Sequence, residues 1–173
     1  DQGIHMLDLF RFFCGDFDEI QGMLTTGYWD IPVEDNAFVL LRNGAGQTAQ
    51  LHSSSTLWKH TFQLDIGLED GYLKAQGLLS KSGSYGRETL IIGRKSRLDS
   101  GQAVGNPREE VVYFDRDMSW ELQVSEMMQC IDEDRPVTDS STTDALRVME
   151  LIDAVYRQAG IKYGANLSEQ DIL

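Results

Sequence analysis

The sequence is poor in cysteine, in proline, in positive charge and in long apolar runs, and most of these shortages exclude something. Its two cysteines, Cys14 and Cys130, stand too far apart for a disulfide framework or a zinc site. Two reduced thiols in a cytoplasmic protein are the expectation. No stretch approaches the ~20 apolar residues of a membrane-spanning helix, and no leader peptide is expected. Only 15 Lys and Arg face 28 Asp and Glu, a formal net charge of −13. Nucleic acid and anionic membrane surfaces attract clustered cations, so neither is an expected partner. The carboxylates are scattered, and no His/Asp/Glu group has metal-ligand spacing, so no metal is expected. There is also no initiator Met before the first helix pattern, and the chain reads as a fragment of a longer protein.

What is present suffices for one domain. The 173 residues are 41% apolar and 25% charged, an ordinary balance for a globular core. The opening stretch, Asp1 to Phe13, is apolar almost all round, as in a helix buried between other layers. Gly15 is placed to cap it. From there the period drops to two. Strands are expected over 17–28, 36–42, 47–57, 62–68, 72–79, 88–92 and 110–114. Asn43-Gly44 reads as a hairpin turn, and 95–108 is a polar loop expected to be mobile. The helical period then returns. Trp120, Val124, Met127, Met128 and Ile131 form one apolar stripe, with both methionines expected in the core. A second helix should open on a capping box, Ser141 with Asp144, and bury Ala145, Val148, Ile152, Val155 and Ala159 before stopping at Gly160. The tail beyond should be loosely held.

Helix, about seven strands in hairpin order, then two helices implies an α+β fold: an open, mainly antiparallel sheet with helices packed on one face. The other face must meet solvent, another domain or a partner subunit, and Val39, Leu41, Leu64 and Ile66 suggest that neither face is fully polar, which favours a partner.

The chemistry concentrates in the opening helix. Asp1 and His5 stand four apart and share a face, with Asp8 continuing the stripe. A carboxylate that fixes the imidazole tautomer would leave His5 able to exchange a proton with a substrate hydroxyl. The plainer alternative is a capping Asp and a core His bonded to a carbonyl. Trp58-Lys59-His60 offers two polar donors beside an aromatic plane, suited to a sugar or polyol, or it is simply a strand end. The acidic runs at 30–35 and 132–134 read as solvated faces or helix ends. Gly44-Ala45-Gly46-Gln47-Thr48-Ala49 matches a G-x-G-x-x-A dinucleotide string, but a strand pattern follows it rather than a helix N-terminus, so a hairpin explains the glycines.

Asp1-x-Gly3-x-His5-x-x-Asp8 resembles the helix motif of the Gfo/Idh/MocA oxidoreductases, the glucose-fructose oxidoreductase and inositol dehydrogenase family. The similarity continues through Trp29-Asp30, Val33 to Ala37, Trp58-Lys59-His60, Ser84-Tyr85-Gly86 with Glu88, and Pro136-Val137. The resemblance implies that the chain is the C-terminal domain, spanning 1–173, used for substrate binding and oligomerisation. The dinucleotide-binding domain and its catalytic lysine would be absent from it. It implies that His5 is the acid/base at a hydroxyl of a sugar, sugar nucleotide or cyclitol, and that Asp1 orients it or contacts the same hydroxyl. NAD or NADP would be bound mainly by the missing domain, with no cofactor-binding residue here, and a homo-oligomer would form through the sheet face. Two other readings stay open: a domain of an NAD-dependent glycosidase of the same fold, and a non-catalytic oligomerisation or ligand-binding sheet module.

Overall fold

The computed structural model describes residues 3–95, 107–138 and 140–161. The expected mobile loop and the polar tail lie almost wholly outside these residues. Contacts divide the chain into two compact units, one formed by Asp1–Thr56 with Pro136–Leu173 and the other by Leu57–Arg135.

In the first unit, helix α1 (Gly3–Cys14) leads into strands β1 (Glu19–Thr25), β2 (Asn36–Arg42) and β3 (Thr48–Ser54), and helix α3 (Thr142–Gln158) closes it. The strands form an antiparallel sheet in the order β1-β2-β3. Alternation along β2 decides which face is covered. Val39 and Leu41 are buried, with Leu51 of β3 level with Val39. Leu7 and Phe10 of α1 and Val148, Leu151 and Val155 of α3 complete this core. Side chains alternate across a strand, so Phe38 and Leu40 must point the other way, and both are exposed. Val39 and Leu41 therefore lie under the helices, and Met23, Phe38 and Leu40 make the opposite, free face apolar as well, so neither face is fully polar.

Local chemistry sets the ends of these elements. Gly15, at φ 74°, ends α1, its N–H donating to the carbonyl of Arg11 at 2.8 Å. The expected capping box of α3 is present. The Ser141 hydroxyl accepts from the Asp144 N–H at 3.2 Å, and the Asp144 carboxylate accepts from the Ser141 N–H at 2.8 Å. The stripe of α3 is rotated relative to expectation, with Leu151 buried and Ala145 exposed. Leu151 is one turn from both Val148 and Val155, so the three share a face. Helix α1 is less enclosed than its composition suggests: Phe12 is 71% exposed, because only the side carrying Leu7 and Phe10 meets the sheet unit.

In the second unit, strands β4 (Gln63–Leu68), β5 (Gly71–Gln76), β6 (Glu88–Arg94) and β7 (Glu109–Phe114) form a second antiparallel sheet in sequence order, followed by helix α2 (Ser119–Asp132). Leu64 and Ile66 are half-buried in β4. A substituent on Gly93 would meet the Tyr72 ring at 2.2 Å, so glycine is what lets that ring lie across β6. Of α2 only Cys130 is buried. Met127 and Met128, expected in the core, are exposed together with Trp120, Val124 and Ile131. The helix makes no substantial packing contact with the sheet of its own unit, which leaves the stripe uncovered there.

The described residues thus form the expected α+β fold, with every strand pairing antiparallel and the strands divided between a three-stranded and a four-stranded sheet. Truncating Leu151 to Ala should cost about 2–5 kcal/mol by opening a cavity in this core. Phe38→Ala, on the exposed side of the same sheet, should cost well under half as much. Denaturant unfolding of both variants checks the alternation.

Candidate functional site

The motif helix is set against the sheet by a missing side chain. A Cβ on Gly3 would stand 3.3 Å from Cβ and Oγ of Ser53, tighter than nearly all side-chain contacts, and 3.5 Å from Leu51, an ordinary contact. Glycine therefore lets the first turn of α1 lie directly on β3. His5, two residues on, projects from that seated turn and is exposed, while Asp8 is half-buried. No other described side chain hydrogen-bonds the His5 imidazole. An exposed imidazole on an anchored turn can meet a ligand from solvent, and it is not the carbonyl-bonded core histidine of the plainer reading. Asp1, expected to orient it, lies outside the described residues.

Trp58, Lys59 and His60 follow β3 and belong to the second unit. The structure ties down one of the three. His60 Nδ1 lies 2.9 Å from the Ser84 hydroxyl, and its ring tilts against Tyr85 at 5.2 Å between centroids. The Ser84 hydroxyl is in turn 2.8 Å from that of Ser82. The loop is anchored from behind by Glu88, whose carboxylate accepts from the Leu79 N–H at 2.9 Å. Trp58 is wholly exposed and Lys59 is exposed. The chain thus brings His60, Ser84 and Tyr85 together across 24 residues and leaves Trp58 and Lys59 projecting into solvent. Neither Ser82 nor Ser84 was expected as a site residue: Ser84 carried only its place in the Ser84-Tyr85-Gly86 part of the resemblance, and Ser82 only the Ser/Gly-rich run 80–86, which reads equally as a plain loop.

Asp35 overturns the expectation of a solvated acidic run. It is 3% exposed, and one carboxylate oxygen accepts three consecutive backbone N–H groups: Gly27 at 3.0 Å, Tyr28 at 2.7 Å and Trp29 at 3.1 Å. The Asn36 amide donates to its other oxygen at 3.0 Å. These donors, the Tyr28 N–H foremost, hold the carboxyl down to about 2 against the partial opposition of burial. The same bonds end β1 three residues earlier than the alternation suggests, because 27–29 turn inward to the carboxylate. The loop so fixed presents Tyr28 against Trp29, edge to face at 4.9 Å, with the indole N–H donating to the Ser55 carbonyl at 3.0 Å.

The remaining candidates hold nothing. Gly44 to Ala49 is a hairpin, as expected. The Asn43 N–H donates to the Gln47 carbonyl at 3.0 Å, Gly46 has φ 85°, and strand β3 follows rather than a helix. The Asn43 amide donates to the last carbonyl of α1, that of Cys14, at 2.6 Å, so the turn serves the helix end and not a pyrophosphate. An open cleft of about 180 Å³ in the first unit is lined by Arg11, Arg147, Asp16 and Glu150 over Phe17, Ile20, Leu151 and Ala154. Its cations are already engaged, Arg11 by Asp16 and the Asp144 carbonyl and Arg147 by Glu150. Among the described residues no group of His, Cys, Asp and Glu could hold a metal ion, and no helix is long and apolar enough to cross a membrane.

Comparison with known proteins agrees with this architecture. Residues 1–74 match the GFO/IDH/MocA C-terminal domain, the family that the opening motif resembles, and the similar solved structures carry the names of oxidoreductases and dehydrogenases. One is a levoglucosan dehydrogenase in complex with NADH and levoglucosan, with a TM-score of 0.73 at 16% identity, covering 92% of this chain and 47% of that one. Another is the UDP-N-acetylglucosamine 3-dehydrogenase GnnA from Acidithiobacillus ferrooxidans, at 0.70 and 19% identity, covering 91% and 45%. A third is the WlbA dehydrogenase from Bordetella pertussis in complex with NADH and UDP-GlcNAcA, at 0.65 and 16%, covering 92% and 42%. At these identities they establish the fold, and this chain spans less than half the length of each. No curated protein matches.

The Asp35 geometry carries a pH dependence. Its carboxyl is held below the ordinary value of 3.8, so its contribution is present above that value and is lost as pH falls toward about 2. Asp35→Asn should be less stable than wild type at neutral pH, with the difference shrinking as pH falls from about 4 to 2. Urea midpoints measured across that range decide it, and a difference independent of pH would contradict the assignment.

Proposed function

We propose that this chain is the substrate-binding and proton-transferring domain of an NAD- or NADP-dependent oxidoreductase acting on a hydroxyl of a sugar, sugar nucleotide or cyclitol. The observation that carries the reading is His5, exposed on a turn that Gly3 seats against β3, inside the segment that matches the family. In oxidation the neutral imidazole takes the proton of the substrate hydroxyl, and in reduction it returns it to the carbonyl oxygen. Asp1 orients the ring. In the second unit, His60 and Ser84 offer hydrogen bonds beside the Tyr85 ring, and Trp58 and Lys59 extend that polar and aromatic surface toward a polyol. The named dehydrogenases with sugar or sugar-nucleotide ligands support this substrate class.

The one glycine string resembling a phosphate loop is a hairpin between strands, so the nicotinamide is assigned to polypeptide outside this sequence. A cytoplasmic setting belongs to the proposal and rests on two cysteines, neither in a disulfide. So does self-association through the free face of the β1–β2–β3 sheet, where Met23, Phe38 and Leu40 are exposed.

Two measurements test the reading. The chain alone should leave NADH and NADPH fluorescence unchanged, and an enhancement would place a cofactor site within it. In the longer polypeptide that joins it to a dinucleotide-binding domain, reduced nicotinamide should accumulate with one member of a panel of sugars, sugar nucleotides and inositols. His5→Ala should lower kcat by about 10²- to 10⁴-fold without loss of cofactor binding. Undiminished turnover in the variant would overturn the acid/base role. Cofactor binding with no accumulated reduced product would favour transient oxidation of a glycoside.

A further inference from the structure

Asp35 lays the loop after β1 across one end of the first sheet. Asn36 pairs with Ser54, and the Asp35 carbonyl accepts from the Ser55 N–H at 2.9 Å, so Asp35 and Ser55 stand side by side where β2 begins and β3 ends. Alternation puts the Asp35 side chain on the face of Val39 and Leu41, the face that the helices cover. One oxygen of that carboxylate collects the N–H groups of 27–29, so this segment crosses the sheet end on the helix side. It reaches Ser55, whose carbonyl accepts the Trp29 indole N–H at 3.0 Å. The Thr26 hydroxyl, donating to the Val33 carbonyl at 2.8 Å, closes the base of the loop.

Helix α1 begins at the same end. Gly3 sits against Ser53, and Ser53 and Ser55 are two residues apart on one strand, so they share a face at a spacing of roughly 7 Å. The far end of α1 is held at the β2–β3 hairpin by Asn43, so the helix runs away from the loop. Each Cα–Cβ bond of a helix tilts toward its N-terminus, which aims that of His5 toward the loop.

What the loop offers there is aromatic and uncharged. Tyr28 and Trp29 are both exposed, and their edge-to-face contact covers at most one ring face of the pair. The indole N–H is engaged by Ser55, which fixes the ring and leaves its apolar body to meet a ligand. Every arginine described in the first unit is already in a salt bridge: Arg11 with Asp16, Arg42 with Glu19, Arg147 with Glu150 and Arg157 with Asp153. The charges of the loop itself are carboxylates, with Asp30 exposed. A phosphorylated ligand on this surface would therefore meet like charge.

We propose that the Tyr28–Trp29 pair is a specificity-determining surface that takes the C–H face of an uncharged sugar or cyclitol ring while a hydroxyl of that ligand meets His5. The inference rests on the function proposed above and narrows its substrate class, with nucleoside-diphosphate sugars disfavoured. The C–H bonds on one face of such a ring are its apolar, slightly positive side, and the face of an aromatic ring is negative. Because Asp35 and Ser55 hold the loop in place before a ligand arrives, little ordering is left for binding to offset.

Nuclear magnetic resonance on the ¹⁵N-labelled chain as it stands tests it, with the Trp29 indole N–H, assigned by its loss in Trp29→Phe, as the reporter. Methyl hexopyranosides and myo-inositol are the uncharged probes, and at least one should move that resonance saturably, while UDP leaves it in place. Tyr28→Ala should weaken the binding by about 2- to 12-fold, the worth of one aromatic contact, and Tyr28→Phe should restore most of it. No saturable shift with any uncharged ring would overturn the proposal, and a shift driven as strongly by UDP would overturn the uncharged class. Turnover in a polypeptide that joins this chain to the proposed dinucleotide-binding domain separates the two proposals. Tyr28→Ala should raise KM for the sugar by more than it lowers kcat, whereas His5→Ala lowers kcat. An unchanged KM in Tyr28→Ala with turnover lost in His5→Ala would overturn the aromatic surface and keep the acid/base role. A raised KM in Tyr28→Ala with turnover undiminished in His5→Ala would do the reverse.

Discussion

The alternation of four residues in β2 constrains the rest of the first unit. Val39 and Leu41 point into the helices, and Phe38 and Leu40 point away, because successive side chains of a strand cannot share a face. A slip of one residue in register would exchange the two sets and leave α1 and α3 with nothing to pack on. With Val39 and Leu51 fixed beneath it, α1 turns Leu7 and Phe10 inward and His5 outward. The proposed acid/base is thus exposed by the same alternation that builds the core. The free face, with Met23, Phe38 and Leu40 exposed, is the other consequence of it.

Polar groups then fix what apolar packing leaves adjustable. The Arg11 side chain is 11% exposed and bridges α1 to the first turn of α3 by donating to the Asp144 carbonyl, while its Nε meets Asp16. The Asn43 amide ties the β2–β3 hairpin to the end of α1, and Gln158 of α3 accepts the edge N–H of Gly22 at 2.6 Å. Asp35 gathers three backbone donors that would otherwise need water. Arg11, Asn43 and Gln158 join elements distant in sequence, while Asp35 fixes the turn six to eight residues before it. In the second unit the His60–Ser84 contact does the same for two loops that the sheet alone leaves undetermined.

Much of this was legible in the residues. Strand positions follow from apolar alternation, the capping box from Ser141 and Asp144 three apart, and the hairpin from Asn43-Gly44 followed by a strand. His5 was legible as a candidate because a polar residue on an apolar helix stands out and because its spacing matches a known motif. What was not legible depends on contacts that spacing does not encode. Asp35 looks like its acidic neighbours until the backbone N–H groups of 27–29 are seen to converge on it. Met127 and Met128 have the periodicity of core residues, but periodicity says which face is apolar and not whether anything covers it. Val39 against Phe38 could not be assigned to faces without knowing where the helices lie. The His60–Ser84–Tyr85 cluster needs two loops to meet across the second unit, and no local pattern announces that.

The central claim is that His5 moves the proton of a substrate hydroxyl. The direct measurement is the pH dependence of kcat/KM in a polypeptide that joins this chain to the proposed dinucleotide-binding domain, for wild type and for His5→Gln. The account predicts a limb in the wild-type profile that the substitution removes, together with most of the rate, while cofactor affinity is unchanged. A variant that keeps both the rate and the limb would contradict it and would leave His5 as an exposed helix residue in a domain whose chemistry lies elsewhere.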